Sequence, residues 1–306
     1  MVASGSNIKT LTIGSRGSQL ALWQARHVAS QLEQLCIGSR IEIIKTSGDR
    51  LDTASLIHSG GKGLFTKEIE EALLAGVIDI AVHSLKDLPT EIPRGLAIAA
   101  TPVREDPRDA IVGCAFHDLP ERARIGTSSE RRKAQLRLLR ADLEFEPIRG
   151  NVDTRLRKLK AGQYDALVLA AAGLRRLGLE HEIAEILSPE QVCPSAGQGA
   201  LAIQTREDDP ARHVCAQLDD EATSRAVACE RTVLRVLGGG CQLPVGAFAK
   251  IADGLLRATA VVVSPDGIRQ LRATAEGPPN HPERLGRAVA DDLLCRGART
   301  LLSSGL

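Results

Sequence analysis

Two short landmarks recur along this chain, and their recurrence constrains the fold more than any other feature. Ile13-Gly14-Ser15-Arg16, placed ahead of a helical run, returns as Ile125-Gly126-Thr127-Ser128 ahead of a second run over Glu130 to Arg140. Ala75-Gly76-Val77-Ile78-Asp79, leading into an apolar strand, returns as Ala161-Gly162-Gln163-Tyr164-Asp165. The spacing is 65 residues from Gly14 to Asp79 and 39 from Gly126 to Asp165. The first copy therefore carries an insertion. The polar, glycine-rich stretch 46–63 supplies it and reads as a mobile lid.

Strand and helix signals alternate around these landmarks. Leu11 to Ile13, Ile41 to Ile44, Ile78 to Leu85 and Leu96 to Val103 read as strands, and Gln19 to Leu35 and Leu64 to Ala75 as helices. This pattern predicts a parallel or mixed sheet with helices on both faces. Two similar α/β domains facing each other would form a cleft lined by strand ends and helix N-termini. Beyond Gly240 the pattern changes to strands over Val245 to Ile251, Leu255 to Ser264 and Ile268 to Glu276, with a final helix from Glu283 to Cys295. Tight turns at Ala252-Asp253-Gly254 and Pro265-Asp266-Gly267 predict a small α+β domain with a three-stranded antiparallel sheet.

Composition narrows the function classes. Of 306 residues, 43 % are hydrophobic but only 2 % aromatic, so the cores must be aliphatic. A net charge of +1 argues against a nucleic-acid partner held by bulk electrostatics, and any anion site must come from locally concentrated Arg and Lys. Seven cysteines, at 36, 114, 193, 215, 229, 241 and 295, form no CxxC pair and no zinc-spaced cluster, so reduced thiols and no metal are expected. Met1 to Ser6 has no apolar core and no apolar run approaches membrane-spanning length, so the expectation is a soluble cytoplasmic protein.

Three features carry candidate chemistry. Cys241 lies in Gly238-Gly239-Gly240-Cys241-Gln242-Leu243-Pro244, after a helix expected over Ala222 to Leu237. Small residues beside a thiol leave room for a large group, although a cysteine is also a common buried hydrophobe. Arg16, Arg131, Arg132, Arg149 and Arg155 fall at strand-to-helix junctions, where cations oppose the helix dipole unless an anion is held there. Each taken singly is equally an exposed surface arginine. Ser84, Lys86 and Asp87 stand at the end of an apolar strand, where α/β folds place active sites, or form an ordinary solvated strand exit. Gly60-Gly61-Lys62-Gly63 is no phosphate loop, because Gly63 stands where Ser or Thr is required and Leu56 where the first Gly belongs.

Taken in order, several motifs closely resemble the porphobilinogen deaminase (hydroxymethylbilane synthase) family over nearly the whole chain. They begin with Ile13-Gly14-Ser15-Arg16, Leu20-Ala21-Leu22-Trp23-Gln24, Gly60-Gly61-Lys62-Gly63 and His83-Ser84-Leu85-Lys86-Asp87-Leu88-Pro89. They continue with Arg104-Glu105-Asp106-Pro107-Arg108-Asp109, Gly126-Thr127-Ser128-Ser129, Arg131-Arg132, Arg149-Gly150-Asn151 and Thr154-Arg155. Gly197-Gln198-Gly199-Ala200 and Gly239-Gly240-Cys241-Gln242-Leu243-Pro244-Val245-Gly246 complete the set.

The resemblance implies two periplasmic-binding-protein-like α/β domains plus a small third one. The expected division is 1–103 with 200–218, 104–199, and 219–306. It implies a dipyrromethane cofactor joined by a thioether to Cys241, and Asp87 as the catalytic acid/base. Lys62, Ser84, Lys86, Thr127, Ser128, Ser129, Arg131, Arg132, Gly150 and Arg155 would meet that cofactor. Arg16, Ser18, Arg149, Arg155 and Gln198 would meet substrate. A monomer is expected, joining four porphobilinogen units head to tail for tetrapyrrole and heme biosynthesis, with ammonia released at each step.

Two positions depart from the family pattern. His58 replaces a lysine often found four residues before Lys62, and Glu130 replaces an apolar residue, either outside the site or partly offsetting the arginines. The competing class is a non-enzymatic two-lobed anion-binding protein with the same hinged architecture. It lacks a reason for Cys241 and for the appended domain.

Overall fold

The computed structural model describes residues 10–47, 66–238 and 243–303. The chain separates into two compact units, Met1–Val103 with Leu201–Ser224, and Arg104–Ala200 with Arg225–Leu306.

In the first unit, β1 (Thr10–Ser15) pairs in parallel with β2 (Gly38–Ile43) and β3 (Ile80–Ser84). β10 (Leu201–Arg206) runs antiparallel between β3 and β4 (Leu96–Ala100), giving the order β2-β1-β3-β10-β4. Helix α1 (Gln19–Gln34) starts at Ser18, whose Oγ accepts from Ala21 N at 3.3 Å. Its buried Ala25, Val28 and Leu32, three and four residues apart, pack on Ile13, Ile80 and Val82. Helix α2 (Lys67–Leu74) covers the opposite face, with Ile69 and Leu73 against Ile78, Ala81 and Leu96. The chain expected to continue as strand to Val103 leaves the sheet after Ala100, because Asp219 takes the Thr101 N–H at 2.6 Å.

The second unit begins with a sheet of the same design. β6 (Arg124–Gly126) is parallel to β7 (Glu144–Glu146) and β8 (Ala166–Ala170), and β5 (Asp109–Val112) runs antiparallel between β8 and β9 (Ile183–Leu187). Helices α3 (Glu130–Leu139) and α4 (Val152–Lys160) follow β6 and β7, and α5 (Ala171–Arg176) follows β8. The sequence repeat has a structural cause. Asp79 accepts from Thr12 N at 2.7 Å and donates its own N–H to Thr12 O; Asp165 makes the same exchange with Arg124, its carboxylate again at 2.7 Å from the partner N. Each recurring aspartate thus anchors the start of one parallel strand to its neighbour.

The small sheet orders β11 (Val245–Ala252), β12 (Leu255–Val263) and β13 (Gln270–Gly277) antiparallel. Asp253 and Gly254 both have positive φ, the geometry a two-residue hairpin requires. Helices α7 (Glu221–Val236) and α8 (Pro282–Cys295) contribute Cys229, Val233, Val289 and Leu293 to an aliphatic core under this sheet. After α6 (Pro210–Cys215), these are followed by a short terminal helix, α9 (Ala298–Ser303), that the sequence signals did not suggest.

Candidate active site

Because β1 and β3 are parallel neighbours, Arg16 and Ser84 emerge at the same edge of the first sheet. The strand expected to run to Leu85 stops at Ser84 and tightens into a single 3-10 turn, Leu85–Asp87. Leu85 is buried, Lys86 half-buried and Asp87 exposed, so the turn presents the two charged groups outward. Gln24 of α1 donates from Nε2 to Ser84 Oγ at 2.8 Å, leaving the hydroxyl hydrogen for another acceptor. A cavity here is lined by Arg16, Gln24, Val82, His83, Ser84 and Asp87. Ser18 is spent in part as the cap of α1.

His83 is buried behind this edge, with Nε2 3.0 Å from Gln204 Oε1. Gln204 Nε2 in turn donates to Glu70 Oε1 at 3.0 Å. Burial pushes the imidazole down to about 4, with the Arg16 charge acting in the same direction, so His83 is neutral at pH 7.

In the second unit the loops after β6 and β7 lie side by side for the same reason, and Ser128 ties them together. Its Oγ donates to Ile148 O at 2.9 Å and accepts from Ile148 N at 3.1 Å. Ser129 caps α3, and Thr127 Oγ1 accepts from Ser129 N at 3.2 Å. Gly150 has φ of 106°, and its carbonyl accepts from Arg155 Nε at 2.8 Å. Arg149 is half-buried nearby in sequence.

Arg131 and Arg132 are not the outward-facing forks that their place in the sequence suggests. Both turn inward onto the fully buried carboxylate of Asp109, at 2.7 Å each. Arg131 also donates to Cys193 O, Arg132 to Val168 O, and Gln198 Nε2 donates to Asp109 at 3.0 Å and to Pro107 O at 2.7 Å. The physical reason is Asp109 itself, which opens an apolar strand and has no access to water. Burial alone would raise its pKa, but the two guanidinium charges hold it well below the usual carboxylate range. Two cations around one anion leave one net positive charge. Glu130 stays exposed and pairs with Lys133 at 2.8 Å, away from this cluster.

Glu230 of α7 extends the network. Its buried carboxylate accepts from Arg104 Nη1 at 2.7 Å, Gly197 N at 2.7 Å and Ala249 N at 2.8 Å, while Arg104 Nε donates to Gln198 O. Next to Gln198, Gly199 has φ of 85°, and a Cβ there would run into the backbone oxygen of Glu105. Sequence reasoning gave no role to Asp109, Glu230, Gln24, Gln204 or Glu70. A carboxylate at the head of the run Asp109-Ala110-Ile111-Val112 was the available signal, since a buried anion requires a cation.

Lys62, His58, Cys241 and most of the expected lid lie outside the described residues. Before Cys241, α7 ends at Val236 and Gly238 adopts φ of 72°; after it, β11 starts at Val245 directly beyond Pro244. Cys193, Cys215 and Cys229 are buried, and burial pushes each thiol up to about 12, far from a reactive thiolate. Among the described residues no group of three His, Cys, Asp or Glu is placed to hold a metal, and no helix is long and apolar enough to cross a membrane.

Residues 11–213 match the family model described as porphobilinogen deaminase, dipyromethane cofactor binding domain, and residues 224–295 match the porphobilinogen deaminase C-terminal domain. A porphobilinogen deaminase of Syntrophobacter fumaroxidans is 47 % identical over 96 % of this chain and 97 % of its own length. One from Thiobacillus denitrificans is 49 % identical over 96 % of this chain and 98 % of its own. Among solved structures, a periplasmic substrate-binding protein of an ABC transporter from Coxiella burnetii aligns at a TM-score of 0.44 and 15 % identity, covering 68 % of this chain and 91 % of that one.

Proposed function

The chain belongs to the porphobilinogen deaminase family, and on that premise we propose how its own residues carry the reaction. The protein is a transferase that condenses four porphobilinogen molecules head to tail, releases ammonia and yields hydroxymethylbilane for tetrapyrrole biosynthesis. The non-enzymatic anion-binding alternative is not favoured, because both family models and the near full-length relatives are those of the deaminase.

The single observation that carries the site assignment is that Arg16 and the exposed Asp87 line one cavity at the end of β3. The Asp87 carboxylate accepts the pyrrole N–H of porphobilinogen and stabilises the positive charge that grows as ammonia departs. The same carboxylate takes the proton shed when the ring carbon is substituted. Arg16 receives an acetate or propionate of the incoming ring, and the Ser84 hydroxyl, with its oxygen held by Gln24, donates to a second acceptor.

The donor set fits a dipyrromethane group, which carries carboxylates and needs surplus cation. In the second unit the Asp109 cluster retains one net positive charge, and Arg149 and Arg155 add more. When bound through Cys241, the group supplies the pyrrole α-carbon from which the product is extended. Lys62, Lys86, Thr127, Ser128, Ser129, Gly150 and Arg155 are assigned to hold it, with Arg131 and Arg132 acting through the charge of their buried cluster. Arg149, Arg155 and Ser18 serve the substrate side. Gln198, whose amide is committed to Asp109 and Pro107, is assigned a positioning part. We assign three domains, 1–103 with 200–218, 104–199 and 219–306, and a cytoplasmic monomer.

Intact mass tests the cofactor assignment. The purified protein should carry two covalent pyrrole units, Cys241→Ser should lack them, and Cys36→Ser should retain them. Two covalent pyrroles on Cys241→Ser protein would overturn it.

A further inference from the structure

The row His83–Gln204–Glu70 is not used by the chemistry above, yet it ends at the Asp87 cavity. On the antiparallel pair of β3 and β10, Gln204 stands opposite Ala81, so its side chain shares a sheet face with His83, two residues along. That face is the one covered by α2, which supplies Glu70. All three side chains are buried.

The direction of the hydrogen bonds follows from donor and acceptor chemistry. Burial raises the Glu70 pKa and the hydrogen bond from Gln204 lowers it; as a carboxylate Glu70 only accepts, so the Gln204 amide nitrogen faces it, at 3.0 Å. The amide oxygen is thereby turned to His83, at 3.0 Å from Nε2. A neutral imidazole meeting an oxygen there must carry its hydrogen on Nε2. Among the described residues Nδ1 has no hydrogen-bond partner, and the residue lines the cavity with Arg16, Ser84 and Asp87.

We propose that Gln204, anchored by Glu70, is a positioning residue that fixes His83 as the Nε2–H tautomer, so that Nδ1 is a hydrogen-bond acceptor in the cavity wall for an N–H of porphobilinogen. The consequence is orientation. Porphobilinogen offers N–H donors at its ring nitrogen and aminomethyl group, and acceptors at its two carboxylates. A lone pair at Nδ1 attracts the former and repels the latter, while Arg16 does the reverse. The two together select one way round for the ring. Burial, which keeps the imidazole uncharged, preserves this lone pair at working pH. The orientation part rests on the proposed function; the tautomer does not.

Nitrogen NMR of the full-length protein labelled with 15N-histidine tests the tautomer, with the His83 signals assigned by their loss in His83→Asn. At neutral pH, Nδ1 should show the shift of an unprotonated ring nitrogen and Nε2 that of a protonated one. Gln204→Leu should abolish this fixed pattern. A protonated Nδ1 would mean that the Gln204 amide is reversed, and would overturn the proposal.

Kinetics test the orientation. In His83→Asn the side-chain oxygen can stand near the Nδ1 position, whereas in His83→Gln the amide nitrogen replaces Nε2 and keeps the bond to Gln204 but removes the acceptor. His83→Gln should raise KM for porphobilinogen about tenfold, the worth of one lost hydrogen bond, and His83→Asn by clearly less. Equal KM values in the two variants would overturn the role in orientation. Absence of turnover by the wild-type enzyme would instead refute the functional reading and leave the tautomer result standing.

Discussion

Replacing Asp109 with asparagine should be among the most damaging conservative changes available in this protein. The carboxylate is fully buried and receives Arg131, Arg132 and Gln198 together. Asparagine has nearly the same volume, so packing is kept. It nevertheless loses the negative charge, and its NH₂ group points a donor at guanidinium donors. Two buried cations then remain without an anion. Removing one partner of a buried ion pair costs about 3–5 kcal/mol. In a unit of this size that corresponds to a fall in Tm on the order of 10 °C. The charge contribution has a defined pH window. Asp109's folded-state pKa lies below its unfolded value of 3.8, so its stabilisation is present above pH 3.8 and is lost as pH falls towards the folded value. Urea unfolding is the assay, with the single tyrosine, Tyr164, reporting this unit and the single tryptophan, Trp23, reporting the other. A control separates charge from shape. Converting Asp109, Arg131 and Arg132 together to apolar residues removes the unpaired charges and should cost less than Asp109→Asn alone, while also lowering cofactor loading. A loss below about 1 kcal/mol in Asp109→Asn would refute the argument, because a carboxylate so placed cannot be removed cheaply.

Three further outcomes follow from the same geometry. Asp87→Asn should keep its fold and accept cofactor when preformed hydroxymethylbilane is supplied to the apoprotein, yet lose at least about a hundredfold in kcat; near-normal turnover would remove Asp87 from the mechanism. Glu230→Gln should lower stability by about 3 kcal/mol, since Arg104 loses its counter-charge and one of Gly197 N and Ala249 N faces an amide NH₂; an unchanged urea midpoint by the Tyr164 signal would contradict this. His83 has a folded-state pKa below its unfolded value, so the unfolded chain binds its proton first as pH falls from 6.5 towards 4. By that linkage the first unit should lose about 2 kcal/mol between pH 7 and pH 5, seen by Trp23 fluorescence in wild type and missing from the pH dependence of His83→Asn.

The two-copy architecture was legible because the repeat marks a backbone event. Asp79 and Asp165 each lock one parallel strand to the next, and the pattern survives wherever that exchange of hydrogen bonds is needed. The antiparallel third sheet was equally readable, since Asp253-Gly254 permits the positive φ values of a tight hairpin. Boundaries were less secure where a distant group intervenes. β4 ends early because Asp219, far along the chain, captures Thr101, and no local propensity encodes that partner.

The site divides in the same way. The sequence by itself determined which chemical groups are present, their order, and the family to which the motif around Asp87 and Cys241 belongs. It also located Arg131 and Arg132 at the start of a helix, but an arginine's place on a helix does not fix the direction of its guanidinium. Only the tertiary structure decided that both turn onto Asp109, and that Gln204 rather than a neighbour in sequence meets the His83 ring. The physical reason is desolvation. A buried charge or ring nitrogen must find its partner wherever the packed chain supplies one, and these partners arrive from strands and helices that sequence distance keeps apart.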